Sequence, residues 1–218
     1  MRAPAMKPRG RRAKTAEPET PPRDRLVEAT ANLMVERGSI DVSLADIARR
    51  ADLNSALISY YFGNKAGLMM ELLRSVLGGD ISKLDAFSQR QLSPEEKLSG
   101  FVRGMIDSYF TYPFINPLTH QLVTEEPETY GPLIAEEFSK RAATILRNIL
   151  AEGQASGVFA KVDPLHLYFH IVGACDQFFH GRYQMQHIFG IGAIDEPMKQ
   201  GYSNYLANAV VKSLRPAT

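Results

Sequence analysis

The spacing of apolar residues along this chain is helical from residue 23 towards its C-terminal end. Leu26, Ala29 and Leu33 recur at three- and four-residue steps, which places them on one face of a helix. Gly38 then stands where a glycine commonly ends a helix. No segment shows the sustained alternation of apolar and polar residues that is typical of a half-buried strand. The pattern therefore predicts an all-α protein.

Two short helices with a tight turn between them are predicted next. Ser43 is a suitable N-cap for the earlier helix, and residues 52–54 end that helix. Its apolar stripe consists of Leu44, Ile47, Ala48 and Ala51. The later helix covers residues 55–62, with Leu53, Ile58 and Phe62 facing inward. This arrangement is typical of a helix-turn-helix, whose second helix enters the major groove of DNA.

The remainder of the chain is predicted to be helical as well. Lys65 begins a long helix, which the pair Gly78 and Gly79 is expected to kink or interrupt. Ser93 followed by Pro94 is a strong helix start. Further helices are predicted near residues 128–156, from 163 past 179, and near 197–214.

The first 22 residues differ from the rest in composition. They contain five prolines, almost no large apolar residue and six of the chain's lysines and arginines. Such a segment cannot bury enough surface to offset its ordering entropy. We predict a disordered basic arm over residues 1–22, and two interpretations stay open: an arm that wraps DNA or a merely solvated tail. A helix-turn-helix domain over 23–67 and a helical effector-binding and dimerisation domain over 68–218 complete the predicted organisation.

The charge of the chain is distributed unevenly. Its net charge is +1, yet residues 1–65 carry twelve Lys and Arg against eight Asp and Glu. Within residues 23–65, six positive residues are balanced by six negative ones. The predicted DNA-reading unit is therefore not a basic block. Attraction to phosphates must come from the arm or from the placement of charges on one face.

Composition limits where the protein can work. The hydrophobic fraction of 44% and the charged fraction of 22% are ordinary for a soluble protein. Cys175 is the only cysteine, so no intramolecular disulfide can form, and we expect it to be packed in the core. No run of 18 apolar residues predicts a membrane span, and the basic N-terminal segment lacks the apolar stretch of a secretory signal. We expect a cytoplasmic protein.

One stretch of the chain resembles a known family. Residues 42–68 read VSLADIARRADLNSALISYYFGNKAGL, which is similar to the DNA-binding signature of the TetR/AcrR regulators. The matching positions are Ala48, Ala51, Leu53, Tyr61, Phe62, Lys65 and Leu68. The resemblance covers about residues 23–70. The sequence departs from the family at Asp52, where many members have glycine, and at Gly63, where many have proline.

The resemblance implies which residues contact DNA. Outward side chains of the third helix are expected to touch bases and phosphates, and the lysine that opens the fourth helix is expected to meet a phosphate. Leu57 would suit a thymine methyl group. The residues predicted to bind DNA are Ser43, Asn54, Ser55, Leu57, Ser59, Tyr60 and Lys65. Ordinary helix surface is the alternative for the serines and for Tyr60.

Residues 100–186 are rich in aromatic side chains and histidines, which suits an apolar cavity with a few polar groups. Core packing is the alternative. The predicted ligand contacts are Phe101, Met105, Tyr109, Phe110, His120, Phe169 and Phe178. An aromatic or hydrophobic metabolite is one hypothesis for the effector, whose identity the sequence does not give. No cofactor is predicted, and His166 and His170, four residues apart, are only a weak metal pair because no spacing requires a third ligand such as Asp176 or His180.

The resemblance also implies a homodimer built by the last two long helices. The interface candidates, each with core packing as its alternative, are Leu165, Val172, Tyr202, Tyr205, Leu206 and Ala209. We therefore predict a ligand-responsive repressor that binds a palindromic operator as a dimer. An activator and an effector-independent DNA-binding protein are the alternatives. An all-helical enzyme is disfavoured because the chain has no nucleophile elbow, phosphate loop or strong metal signature.

Overall fold

The computed structural model describes residues 20–216, and every regular element in that range is helical. The helices are α1 (Pro22–Arg37), α2 (Leu44–Ala51), α3 (Ala56–Phe62), α4 (Lys65–Ser88), α5 (Pro94–Thr111), α6 (Ile115–Glu125), α7 (Pro127–Ile134), α8 (Lys140–Ala155), α9 (Pro164–His180), α10 (Arg182–Phe189) and α11 (Glu196–Ser213). A π-helical turn, Ala135–Ser139, joins α7 to α8. The all-α prediction is confirmed. The predicted arm lies outside the described residues except for residues 20–22.

The first three helices form a compact unit whose ends are capped as predicted. Gly38 ends α1 in the left-handed conformation, with φ of 60°. The Ser43 hydroxyl accepts a hydrogen bond from the Asp46 amide at 3.0 Å and so caps α2. α1 and α2 contact each other, and Leu26 and Ile47 on these helices are both completely buried. α3 in turn packs against α1 and α4.

The turn between α2 and α3 is built on an aspartate in an unusual conformation. Asp52 has φ of 53° and ψ of 50°, a left-handed geometry that costs most L-residues energy and that aspartate tolerates better than most. The Leu53 amide donates to the Ala48 carbonyl at 2.9 Å. The Arg25 guanidinium of α1 donates to the Ala51 carbonyl at the end of α2. The turn is therefore held from both sides.

The fourth helix is longer and more regular than its sequence suggested. The predicted kink or break at Gly78 and Gly79 is wrong, because α4 runs without interruption from Lys65 to Ser88. A glycine in a helix costs about 1 kcal/mol relative to alanine. Burial of Val76 and Ile81 on either side of the pair offsets that cost. The predicted domain boundary at residue 67 falls within the first turn of this helix.

The fifth helix lies at the centre of the body and contacts α4, α8, α9 and α11. Phe101, Val102 and Ile106 are completely buried on its inner faces. Ser93 and Glu96 form a capping box at its start. The ammonium of the buried Lys97 meets the Glu152 carboxylate of α8 at 2.7 Å. A single hydrophobic cluster extends from α1 to the end of α11, so the two predicted domains share one core.

The left-handed geometry of Asp52 allows a stability prediction. Glycine adopts this conformation without a Cβ clash, so we expect Asp52→Gly to raise the free energy of unfolding by about 0.5–1 kcal/mol. Asp52→Asn removes the charge but tolerates the same conformation, and it should change stability little. Asp52→Ala should lower the free energy of unfolding, because alanine tolerates the left-handed conformation less well than aspartate. Urea unfolding followed by circular dichroism measures all three, and a glycine variant less stable than the parent would contradict the argument.

Candidate nucleic-acid interface and ligand groove

One face of α3 is exposed and carries hydroxyl groups. Ser55 and Ser59 lie one turn apart and are exposed. Tyr60 is 78% exposed, and its ring meets that of Tyr61 edge to face with centroids 4.9 Å apart. The opposite face of the helix is fixed by Ile58, which is completely buried. The side chains of Ser55, Ser59 and Tyr60 are therefore accessible to a large ligand such as DNA.

Asn54 and Leu57 differ in how far their side chains are available to DNA. The Asn54 side-chain oxygen accepts a hydrogen bond from the Ala56 amide at 2.8 Å, which leaves its NH2 group to donate outward. Leu57 is half-buried and packs against the core, so its predicted outward orientation is corrected. Leu57 and Ser59 flank the buried Ile58 on opposite sides, and only the Leu57 side packs against the apolar cluster. The exposed position in that turn is Ala56.

Cationic side chains lie on the elements before and after α3. Lys65, the first residue of α4, is partly exposed, and Arg49 at the end of α2 has a side chain that is 74% exposed. Asp46 pairs with Arg49 and with Arg37, the latter at 3.1 Å. Hydrogen bonds with Ser43 and Arg37 lower the pKa of Asp46. Its charge is thus compensated within the unit. Sequence reasoning missed Arg49, whose position in the last turn of α2 was the available signal.

Most of the predicted ligand residues do not line a cavity. Phe101 and Tyr109 are core residues, because their faces of α5 pack against neighbouring helices. The Tyr109 hydroxyl donates to the Asn116 side-chain oxygen at 3.0 Å, and the Asn116 amide donates to Asp176 at 2.7 Å. Burial raises the pKa of Tyr109. This polar chain joins α5, α6 and α9 rather than facing open space.

The other predicted ligand residues divide between packing and surface. Phe110 is half-buried beneath the Lys199 ammonium, 5.0 Å from the ring centroid. Phe178 stacks on Tyr202 with centroids 3.7 Å apart. His120 and Phe169 are exposed on α6 and α9. Of the seven predicted contacts, Met105 alone lines the large groove described next. The prediction located the helical body but not its cavity.

A large groove lies between α4 and α5, with the C-terminal part of α11 along one side. Its volume is about 1020 Å³. The lining residues of α5 and its C-cap run from Glu95 to Tyr112, a length of about 25 Å at the helical rise per residue. The size and shape of the groove suit an elongated small molecule.

The face of α5 that lines the groove carries small residues. Gly100, Gly104 and Ser108 recur at four-residue steps on that face and line the groove. A Cβ atom at Gly100 would lie 2.0 Å from the Phe87 ring, so α4 approaches α5 closely there. The Ser108 hydroxyl donates to the Asp80 carboxylate of α4 at 2.5 Å. The small residues thus allow α4 side chains to pack closely on α5, and the aromatic content of residues 100–186 did not indicate where the groove lies.

Exposed apolar side chains concentrate on α9, α10 and α11. The large ones are Leu165, Phe169, Tyr183, Ile188, Phe189 and Tyr205, each between 56% and 72% exposed. Ala209 is exposed and Val172 half-buried, as an interface requires. Tyr202 is half-buried and donates its hydroxyl to the Ala174 carbonyl at 2.8 Å. The prediction that Leu206 belongs to the interface is wrong, because this side chain is 4% exposed and belongs to the core.

Metal and membrane chemistry receive no support in residues 20–216. His166 and His170 are exposed on α9, and no group of three or more His, Cys, Asp or Glu in the described range could hold a metal ion. No helix in this range is long and apolar enough to cross a membrane. Cys175 is completely buried, as predicted, and burial raises the pKa of its thiol to about 12.

Comparison with protein families matches nearly the whole described chain. A model described as "Bacterial regulatory proteins, tetR family" matches residues 26–72. A second, described as "Tetracyclin repressor-like, C-terminal domain", matches residues 91–216. The HTH-type transcriptional repressor NicS of Pseudomonas putida is 23% identical over 196 residues, covering 88% of this chain and 92% of that protein. The regulator BetI of Agrobacterium fabrum is 39% identical over 80 residues, covering 37% of this chain and 39% of that protein.

Solved structures share the fold at low sequence identity. The regulator FadR from Bacillus subtilis, in complex with stearoyl-CoA, has a TM-score of 0.69 at 19% identity, covering 88% of this chain and 99% of its own. A TetR/AcrR-family regulator from Thermobifida fusca has a TM-score of 0.66 at 19% identity, covering 89% and 98%. These similarities support the same succession of a three-helix unit and a helical body.

The burial of Cys175 predicts slow thiol chemistry. The neutral thiol is favoured in the folded state, so we expect dithionitrobenzoate at pH 8 to react at least about a hundred times more slowly with the native protein than with the urea-unfolded chain. Because the folded state raises the thiol pKa, the contribution of Cys175 to the free energy of unfolding is fully present below the ordinary pKa of 9.0. It is lost as the pH rises towards 12. Equal labelling rates in the two states would contradict this.

Proposed function

Because the chain belongs to the TetR family and is a DNA-binding transcriptional regulator rather than an enzyme, we propose that it is a ligand-responsive repressor. It binds a palindromic operator as a homodimer, and a small molecule in the groove between α4 and α5 weakens that binding. The cytoplasm, where bacterial DNA lies, is the proposed place of action. The observation that carries the DNA-binding part is the exposed face of α3 with cations on its flanking elements.

The DNA contacts divide into two kinds. Ser55 at the N-cap of α3 and Ser59 and Tyr60 within it are proposed to meet base edges and the sugar-phosphate backbone in the major groove, because their hydroxyl-bearing side chains are exposed. Ser43 and Lys65 open α2 and α4, where backbone amides and the helix dipole favour phosphate. The Asn54 amide can donate to the backbone. For Leu57, the proposed role is reduced to an edge contact with a thymine methyl.

A homodimer is proposed from the apolar surface of the last helices. Exposed apolar patches of this extent commonly mark a protein interface, and Leu165, Phe169 and Tyr205 lie on the two long helices that the resemblance assigned to dimerisation. A dimer also places two reading helices on half-sites about 34 Å apart. The two-fold symmetry of the protein would then match a palindromic operator.

Release by a ligand is proposed from the position of α4. The second half of this helix, including Leu77 and Leu84, lines the groove. Its first half packs against α1 and α3. A ligand that favours a different separation of α4 and α5 therefore favours a different position of α3. In the dimer, this changes the spacing between the two three-helix DNA-binding units. The naming of NicS as a repressor and the stearoyl-CoA complex of FadR support a repressor with a small-molecule effector.

The α3 surface can be tested by substitution at Tyr60 and Lys65. We expect Tyr60→Ala to weaken operator binding by about 1–3 kcal/mol, and Lys65→Ala to weaken binding to all sequences and lower the salt slope by about one. Fluorescence anisotropy at several stated salt concentrations, with an operator selected from genomic fragments, measures both. Lys161→Ala, which removes an exposed lysine just before α9, is the matched control. If Tyr60→Ala and Lys65→Ala bind like the control, the proposed surface is wrong.

The dimer can be tested on α9. We expect Phe169→Glu to weaken self-association at least about a hundredfold, because a buried carboxylate without a partner is costly at an interface. Analytical ultracentrifugation across a concentration series measures the dissociation constant. Leu133→Glu, at an exposed leucine of α7, serves as the control because it lies outside the proposed surface. A Phe169→Glu protein that dimerises like the parent would exclude this interface.

A further inference from the structure

We propose that the groove between α4 and α5 binds an elongated amphiphile with an anionic head, and that Arg103 binds the head. Its regulatory meaning rests on the effector function proposed above. Three features of the groove carry the inference: its shape, the ion pairing of three of its four carboxylates and the surroundings of one guanidinium group.

The shape of the groove favours a long ligand with an apolar tail. The lining extends about 25 Å along α5. Leu77, Ile81 and Leu84 of α4 provide apolar surface on one side, and Val211 of α11 lines it as well. A compact aromatic ring would leave most of this length unfilled. An extended hydrocarbon chain can follow it and remove apolar surface from water along the way.

The carboxylates that line the groove are already engaged within the protein. Asp107 meets the Lys199 ammonium at 2.9 Å, and Asp80 meets that of Lys83 at 3.1 Å. A third, Glu95, lies 3.3 Å from the guanidinium of Arg215. The carboxylate of Glu96 accepts hydrogen bonds from the amide and hydroxyl of Ser93, each at 2.8 Å. Three of the four lining carboxylates are therefore ion-paired, whereas Glu96, at the start of α5, is held by neutral donors only and keeps its charge.

Arg103 differs from the other cations of the lining. Within the described residues, no carboxylate lies within ion-pair distance of its guanidinium. Its Nη1 donates to the Asn204 side-chain oxygen at 2.6 Å and its Nε to the Ser99 hydroxyl at 3.3 Å. Both acceptors are neutral, so they orient the group without cancelling its charge. An oriented guanidinium with free N–H groups is well suited to a carboxylate or a phosphate.

Orientation by Asn204 also gives the site a fixed position in the fold. Arg103 belongs to α5 and Asn204 to α11. The hydrogen bond between them joins two residues that are 101 positions apart in the chain. Head-group binding would therefore draw on both helices, while the tail lies against α4. A ligand of this class contacts three elements at once. A neutral apolar ligand would leave the guanidinium without an anionic partner.

The test uses the full-length protein and isothermal titration calorimetry with surfactants of matched tail, all below their micelle concentrations. The probes are dodecanoate, dodecyl phosphate and dodecyltrimethylammonium, with propionate as a head without a tail. We expect the two long anions to bind, and the cation and propionate to bind at least about tenfold more weakly. The relative affinities of carboxylate and phosphate identify the preferred head.

Variants separate the charge of Arg103 from its structural role. Arg103→Gln should weaken dodecanoate binding by about tenfold to a hundredfold, whereas Arg103→Lys keeps the charge and should retain most of the affinity. Arg147→Gln, at an exposed arginine of α8 outside the lining, is the matched control and should bind dodecanoate like the parent. Thermal unfolding of each variant reports whether the fold is intact.

The outcomes distinguish this inference from the proposed function. If dodecanoate binds no better than the cation, or if Arg103→Gln and Arg147→Gln bind it equally, the anionic site is wrong, whatever the protein does on DNA. If dodecanoate binds through Arg103 yet leaves operator affinity unchanged at saturation, the site stands and the effector role of the groove is wrong. Binding through Arg103 together with release of the operator supports both.

Discussion

Burial of α4 in one continuous core is the constraint on which the arrangement of this protein depends. In the first half of α4, which adjoins the three-helix unit α1–α3, Leu68 and Leu72 are completely buried. In its second half, which adjoins the rest of the helices, Ile81 and Leu84 are buried as well. Protein interiors are packed to crystal-like density and pass on displacement rather than absorb it. The three-helix unit and the helices around the groove are therefore parts of one packed core that α4 runs through.

The body around α4 is held in a defined state by polar contacts between distant helices. The Tyr109, Asn116 and Asp176 chain joins three helices, and Lys97 with Glu152 joins α5 to α8. Within residues 20–216, each buried side-chain nitrogen or oxygen has a hydrogen-bond partner. A satisfied network of this kind rigidifies a core. A ligand can then act by favouring an alternative packing of α4, because the unliganded body already has one specific arrangement.

The helix-turn-helix was predictable because its determinants are local. The cap at Ser43 and the end of α1 at Gly38 each depend on neighbours a few residues away, and the apolar stripes fix the inward faces. The groove was not predictable in this way. Its polar groups are set by pairs such as Arg103 with Asn204 and Asp107 with Lys199, which are 101 and 92 residues apart. Aromatic spacing identified buried positions such as Phe101, but burial alone does not tell whether a side chain borders a cavity. The predicted break at Gly78 failed for the same reason, since tertiary burial outweighed local propensity.

The charge balance of the three-helix unit α1–α3 affects how tightly one such unit can bind DNA, and therefore how much binding depends on the proposed dimer. Asp46 is compensated by Arg37 and Arg49, which reduces the number of cations free to meet phosphates. Few phosphate contacts per unit mean modest non-specific affinity. In the proposed dimer, tight binding would come from two three-helix units held at the spacing of two half-sites, where the second contact is made at a high effective concentration. Such a dimer would be released by a small displacement, because a shift of α4 that misplaces the two units would remove the contribution of the pair while each unit remains intact.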